Sequence, residues 1–353
     1  MCRSLLGAVA LCLLAGAFRT TTAQTTPPPF DVAAVETAAG TLPRLHSLLV
    51  SWRGALVLER YYNGARATRP ANIKSASKSI ISALVGIAID RRHLSGVDQL
   101  VAPYFPDILG PKSEPARRTI TIEHLLSMRS GLASTSNRNY GAWVQSSNWV
   151  RHALTRPLEG TPGTTLDYST GNTHILSAIL TKAAGASTWQ FAQEALAKPL
   201  GFALARWPQD PQGVYFGGND MLLTPRQMVQ FGELYLHRGQ VNGRQVVPAS
   251  WVAESFVPRG RSGWSDELYG YGWWIREMAG VPAYYAWGYG GQFIFVVPSA
   301  AMVVVATSDP APERRDGSHL DAVHGLVDEL LAPDEASRSS QPRAATVSSP
   351  ARN

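Results

Sequence analysis

The stretch Ser75-Ala76-Ser77-Lys78-Ser79-Ile80-Ile81-Ser82-Ala83-Leu84-Val85-Gly86 opens a helix pattern that runs to Asp90, with Ile80, Ile81, Leu84, Ile87 and Ala88 on one side. Ser75 and Lys78 stand three residues apart at its start, a spacing that puts both side chains on one face. Burial lowers the pKa of a lysine, and a neutral lysine beside a serine can take the hydroxyl proton. A helix N-terminus also aims backbone N–H groups at any anion that forms there. With 30 Ser and five Lys in 353 residues, about 0.4 such spacings arise by chance, so the motif gains weight only from its surroundings. Ser77 is adjacent to Lys78 and points off its face, and Ser130 has no Lys at helical spacing. Ser75 is therefore the candidate nucleophile and Lys78 its proton acceptor.

Outward from this helix, strands lie at both ends of the chain and helices between them. Leu48–Trp52 and Ala55–Tyr62 read as a hairpin through Arg53-Gly54. Tyr269–Arg276 is a third strand, and Gln292–Val297 with Ala301–Thr307 forms a second hairpin about Pro298-Ser299. The spacing of Leu320, Val323, Leu326, Val327 and Leu330 predicts a helix over 318–331. In the middle, helices are expected over 121–128, 172–184, 188–200 and 224–237, the last opening with Thr-Pro. The expected fold is α/β: one antiparallel sheet built from both termini and flanked by helices, with an all-helical lobe inserted. The sheet part covers about 30–74 and 240–331, and the helical part 75–239. A cleft at such a junction is a usual place for a site.

Two segments add chemistry to the Ser-Lys pair. Asp167-Tyr168-Ser169-Thr170-Gly171-Asn172 places a Tyr just before a helix, and a phenol shared with a lysine can act as a base or carry a proton to a leaving group. Trp287-Gly288-Tyr289-Gly290-Gly291-Gln292 leads into a strand. Its glycines allow close approach to the strand edge, where a free N–H serves as half of an oxyanion hole.

Ser-x-x-Lys, a Tyr about 90 residues on, and a Gly-rich strand start together resemble the serine β-lactamase and penicillin-binding superfamily. The resemblance is to its class C β-lactamase-like branch, which includes esterases and 6-aminohexanoate-dimer hydrolases. Ile122–Leu132, Gly217-Gly218-Asn219-Asp220-Met221 and Tyr269–Trp274 also fit that branch, and the likeness spans about Leu45 to Leu331. It implies acyl transfer through Ser75, with Lys78 and Tyr168 as proton acceptors. The N–H groups of Ser75 and Gln292 would hold the oxyanion, and Tyr289, Gly290 and Gly291 would complete the third motif. The substrate would be a small molecule or short peptide, with no cofactor and no metal. Two positions depart from the pattern. Thr170 stands where the branch has Asn, with Asn172 two residues on. Tyr289 stands where it has Lys or His, and a phenol is neutral at pH 7. That favours esters or amides without a carboxylate at this point over the alternative, a penicillin-recognising D-alanyl peptidase or β-lactamase. The same two departures, Thr170 and Tyr289, support an alternative of another class, a catalytically dead secreted binding protein of the same fold.

Composition sets the context. The net charge of +6 is spread along the chain with no run of five basic residues, so nucleic acid is not an expected partner. No Gly-x-Ser-x-Gly elbow accompanies the eight scattered His residues, which argues against a His-based triad. Arg3 followed by the apolar run Leu5–Phe18 reads as a signal peptide over 1–23, short for a membrane span. Cleavage would remove Cys2 and Cys12 and leave a thiol-free, secreted or periplasmic protein with no stable membrane span. Residues 24–331 then form a single hydrolase domain whose oligomeric state is open. Residues 332–353, rich in Ser, Ala, Pro and Arg, form a disordered tail.

Overall fold

The structure is a computed structural model that describes residues 27–311 and 317–332. The expected signal peptide, both cysteines and all of the expected tail but Ala332 lie outside the described residues. Ten α-helices are described: α1 (Val32–Gly40), α2 (Ser77–Asp90), α3 (Ile122–Leu126), α4 (Tyr140–Val144), α5 (Trp149–Leu154), α6 (Thr170–Ala184), α7 (Thr188–Ala192), α8 (Pro225–Leu236), α9 (Ala249–Ser255) and α10 (Ser318–Leu331). The strands are β1 (Leu45–Trp52), β2 (Ala55–Tyr61), β3 (Ala71–Asn72), β4 (Leu222–Leu223), β5 (Gln240–Val241), β6 (Arg244–Gln245), β7 (Gly260–Arg261), β8 (Leu268–Tyr269), β9 (Trp274–Met278), β10 (Val281–Gly288), β11 (Gln292–Val297) and β12 (Met302–Ser308).

Eight strands form one antiparallel sheet in the order β2-β1-β12-β11-β10-β9-β8-β7, so the two chain ends meet where β1 pairs with β12. The central strands β11 and β12 are buried along their whole length. That is why they read as unbroken apolar runs: both faces of the sheet are covered. On one face Leu48, Phe293, Phe295 and Val304 pack with Val35 of α1 and Val323 and Val327 of α10. On the other, Leu49, Ile294, Val303 and Val305 join the core of the helical lobe through Met228 and Phe231 of α8. Gly232 lets α8 press onto the sheet, since a Cβ there would lie 2.5 Å from Val303 Cγ1. Helix α8 thus sits with the sheet, although the sequence placed it in the helical part.

Other differences are local. The expected strand over 269–276 is split, because Gly270–Trp273 leaves the ladder between β8 and β9. Gly272 adopts φ +80° there, and its carbonyl accepts from Ser79 Oγ at 2.6 Å. Strand β10 and helix α1 were not expected. The helix expected over 188–200 passes from α7 into a π turn at Gln193–Ala197. Threonines cap two of the expected helices: Thr121 accepts from His124 N–H, and Thr224 from Gln227 N–H.

Candidate active site

Ser75 sits inside a 3-10 turn, Lys74–Ala76, that leads directly into α2. The turn lies against the end of β10. Gly288 makes this possible, since a Cβ there would come within 2.1 Å of Ile73 O. Lys74, next to Ser75, has φ 50°, and Asp220 has φ 64°, both in the left-handed region that non-glycine residues seldom occupy. Their side chains form an ion pair at 3.1 Å, and Asn72 Nδ2 donates to the same Asp220 oxygen at 2.8 Å. Two strained backbone positions are thus tied to each other beside the serine.

At the second position of α2, about one turn after Ser75, Lys78 is 1% exposed. Its Nζ lies 3.1 Å from Ser75 Oγ, 3.3 Å from Thr170 Oγ1 and 2.6 Å from the carbonyl oxygen of Gly218. Burial pushes the Lys78 ammonium down to about 7, against the opposing pull of Asp220. The Tyr168 ring lies 4.9 Å from Nζ, and Tyr168 lines the cleft together with Ser75. Burial pushes the Tyr168 phenol well above its ordinary range, and the neighbouring Ser75 side chain only partly offsets it. Tyr168 is therefore a neutral phenol near neutral pH, while Lys78 is the group that can lose a proton there.

Thr170 takes the place at Lys78 that the resemblance gives to Asn. Its hydroxyl meets Nζ and also Ser136 Oγ at 2.8 Å. Asn172 is turned away, accepting from Ser130 Oγ at 3.1 Å. The rival serines are occupied elsewhere: Ser130 by that bond, and Ser77 by donating to Lys74 O at 2.6 Å.

The third-motif residues divide. Tyr289, 49% exposed, lines the cleft beside Ser75. Gly290 and Gly291 form the β10–β11 turn with φ +83° and +97°, packed on Pro310 and His319. Gln292 does not reach the cleft. It is buried in β11, opposite Gly288, and its amide exchanges two hydrogen bonds with the backbone of Ser308. Past the end of β10, the Tyr289 N–H has no hydrogen-bond partner among the described residues, and neither does the Ser75 N–H. The strand-edge donor expected at Gln292 is thus placed at Tyr289, because the chain turns three residues earlier than the motif alone suggests.

The cleft around Ser75 has a volume of about 730 Å³. One wall is aromatic: Trp264, Trp274 and Trp287 stand with ring centroids 5.4–5.6 Å apart, and Trp264 is 56% exposed. Facing residues are polar: Lys74, Ser136, Asn137, Arg138 and Asn219, the last donating to Tyr140 Oη at 3.0 Å. The lining includes two cations and no carboxylate. Lys74 is paired with Asp220, whereas Arg138 makes no ion pair or hydrogen bond among the described residues. Gly218, Asp220 and Arg138 escaped the sequence reading in these roles. Only the stretch 217–221 was marked, and nothing in it says which carbonyl will face Lys78.

A family model described as Beta-lactamase matches residues 46–327. The chain belongs to the Beta-lactamase family. Its fold is shared with solved structures at low identity. A candidate 6-aminohexanoate-dimer hydrolase of Bacillus anthracis matches with a TM-score of 0.67 and 21% identity, over 82% of this chain and 80% of that one. EstCE1, a hydrolase with promiscuous acyltransferase activity, gives 0.67 and 20%, over 84% and 98%. A penicillin-binding protein homologue of Caulobacter crescentus gives 0.65 and 16%, over 85% and 98%. Comparison with curated proteins finds no match. Membership of this family places the protein among the β-lactamase-fold hydrolases.

Proposed function

We propose that this member of the family is an exported serine hydrolase that cleaves an ester or amide bond through an acyl-enzyme on Ser75. The observation that carries the reading is the set of partners around Lys78 Nζ. A neutral amine has two N–H bonds and one lone pair. Gly218 O and Thr170 Oγ1 are placed to take the two N–H bonds, leaving the lone pair for the Ser75 hydroxyl. Ser75 Oγ then bonds to the carbonyl carbon as its proton passes to Lys78, with Tyr168 hydrogen-bonded between serine and substrate. The N–H groups of Ser75 and Tyr289 receive the oxyanion. Collapse expels the leaving group with a proton from Lys78 through the Tyr168 hydroxyl. Water, deprotonated by the same pair, releases the acyl group and restores Ser75. These steps call for no cofactor or metal ion.

The substrate is a small molecule or short peptide with an apolar or aromatic portion suited to the tryptophan wall. The N-terminal Arg3 and Leu5–Phe18 pattern supports a secreted or periplasmic location. A second reading, a D-alanyl peptidase or β-lactamase acting on carboxylate-bearing substrates, is favoured by the unpaired Arg138 in the cleft. A fluorophosphonate probe tests the acyl-enzyme directly. Wild type is expected to be labelled at Ser75, and Ser75→Ala to lose labelling and turnover while keeping its melting temperature. A folded wild type that resists labelling, or labelling that survives in Ser75→Ala and vanishes in Ser77→Ala, overturns the assignment.

A further inference from the structure

His174 and Asp210 form a hydrogen-bonded pair whose two side chains are both 0% exposed, with His174 Nε2 3.0 Å from Asp210 Oδ2. The ring is enclosed by Trp143, Trp149 and Phe216, with centroids 5.3–5.8 Å away. The other Asp210 oxygen accepts from the N–H groups of Gln212 at 2.8 Å and Val214 at 2.9 Å. Burying such a pair is costly, and a well-packed apolar pair of the same volume often serves stability as well or better.

The geometry points to what the pair does. His174 Nδ1 lies 3.4 Å from the Gly217 N–H, so Nδ1 accepts and the ring proton sits on Nε2, facing Asp210. The next residue, Gly218, offers the carbonyl that Lys78 Nζ meets at 2.6 Å, the shortest of its three contacts. Gly217 and Gly218 are pressed against the start of α6. A Cβ on Gly217 would lie 2.2 Å from Thr173 O, and one on Gly218 2.5 Å from Thr173 Oγ1. Thr170 and His174 are one helical turn apart on α6. The first holds Lys78 directly and the second holds the segment that supplies its other acceptor.

We infer that His174 and Asp210 are positioning residues: Asp210 fixes the His174 tautomer, His174 fixes Gly217, and the Gly218 carbonyl thereby orients the Lys78 amine toward Ser75. This rests on Lys78 being the base for Ser75. The chain of bonds is directional. If Asp210 no longer accepts from Nε2, the proton can move to Nδ1 and meet the Gly217 N–H donor to donor. An Asn at 174 places its side-chain oxygen near the Nδ1 position and can still accept from Gly217.

The test compares wild type with His174→Leu, His174→Asn and Asp210→Asn. It reads the fluorophosphonate labelling rate, kcat and KM for p-nitrophenyl acetate across the pH range, and the melting temperature. His174→Leu and Asp210→Asn are expected to lower kcat and labelling rate together by about 10- to 100-fold with little change in KM, as misplacement of a reacting group does. Their acid limb should move to lower pH, because an acceptor that favours the ammonium form has been withdrawn. His174→Asn should keep most of the rate. Folded His174→Leu and Asp210→Asn variants with wild-type kcat, labelling rate and acid limb, whatever their melting temperature, overturn the inference. A measurement on wild type covers variants that fail to fold: nitrogen-15 NMR should find the His174 ring proton on Nε2, and a proton on Nδ1 overturns the assignment. A wild type that neither labels nor turns over would defeat the acyl-enzyme reading instead, leaving the tautomer result to stand separately.

Discussion

At the scale of single residues, function and stability oppose each other at Lys78. Its ordinary value of 10.5 falls to about 7 in the folded protein because burial disfavours the charged form. The catalytic consequence is an acid limb. The amine is protonated below that value and neutral above it, so kcat/KM for a p-nitrophenyl ester should rise tenfold per pH unit on the acid side and level off above about 7. A profile that is flat through this region would show that Lys78 is not the base. The thermodynamic sign runs the other way from that of a stabilising ion pair. Between about 7 and 10.5 the unfolded chain binds a proton at this lysine that the folded chain does not, so stability contributed by this group rises with pH across that window. Below it the full cost of holding Lys78 dry is present. Lys78→Met, similar in length and apolar, should therefore lose turnover yet unfold at a higher temperature at acidic and neutral pH, by about 1–4 kcal/mol. The difference should shrink toward alkaline pH. Thermal melts of the two proteins across that range, with activity alongside, check both signs. Tyr168→Phe keeps the packing of the ring and removes only the hydroxyl. A loss of about 10²- to 10⁴-fold in kcat at unchanged melting temperature is expected if that hydroxyl carries the proton to the leaving group.

At the scale of elements, β10 and the 3-10 turn before α2 must touch for the site to exist, and Gly288 is the point of contact. Gly288→Ala drives a methyl toward Ile73 O, 2.1 Å from the ideal Cβ position, so either the strand end or the serine turn must shift. A destabilisation of about 1–3 kcal/mol, typical of overpacking, should come with a larger fall in kcat than the melt alone explains. Wild-type activity in a destabilised variant would show that the two elements move together. This contact also marks where the sequence stops being legible. The hairpin through Arg53-Gly54, the Thr121 and Thr224 caps and the Ser75–Lys78 pair are local patterns, and each stands where the residues place it. Strand β10 was hidden because Pro282 near its start and Gly288 at its end weaken the local strand signal, while its hydrogen-bonded partners are supplied by β9 and β11. Tyr269–Arg276 looked like one strand because its aromatics suit a sheet. The break at Gly272 answers a contact with Ser79, 193 residues away in the chain. The donor expected at Gln292 shifts to Tyr289 for the same reason: the motif gives the glycines, and only the hairpin register tells which of them turn.

At the scale of the whole molecule, the cleft lies where the helical lobe meets the sheet, and its charge decides what it accepts. Tyr289 at the mouth stands where the family pattern has Lys or His, and one charge-assisted hydrogen bond is about twice as strong as a neutral one. On that basis simple p-nitrophenyl esters should be cleaved better than nitrocefin or penicillin G. The three motifs omit Arg138, however, whose guanidinium is unpaired in a lining with no carboxylate. The two influences can be separated. Arg138→Ala should leave the hydrolysis of a neutral ester unchanged and lower any turnover of nitrocefin, or of a p-nitrophenyl ester carrying a terminal carboxylate, by about five- to thirtyfold, the equivalent of about 1–2 kcal/mol. Tyr289→Lys should move the ratio the opposite way by a similar factor. Raised salt should weaken the Arg138 effect, because that residue is exposed and its field is screened within about 8–10 Å at ordinary ionic strength. Efficient β-lactam hydrolysis by wild type with no ester activity would reverse the order of the two readings. The carboxylate would then be the principal handle on the substrate, Arg138 the residue that holds it, and the tryptophan wall the support for the rest of the ring system.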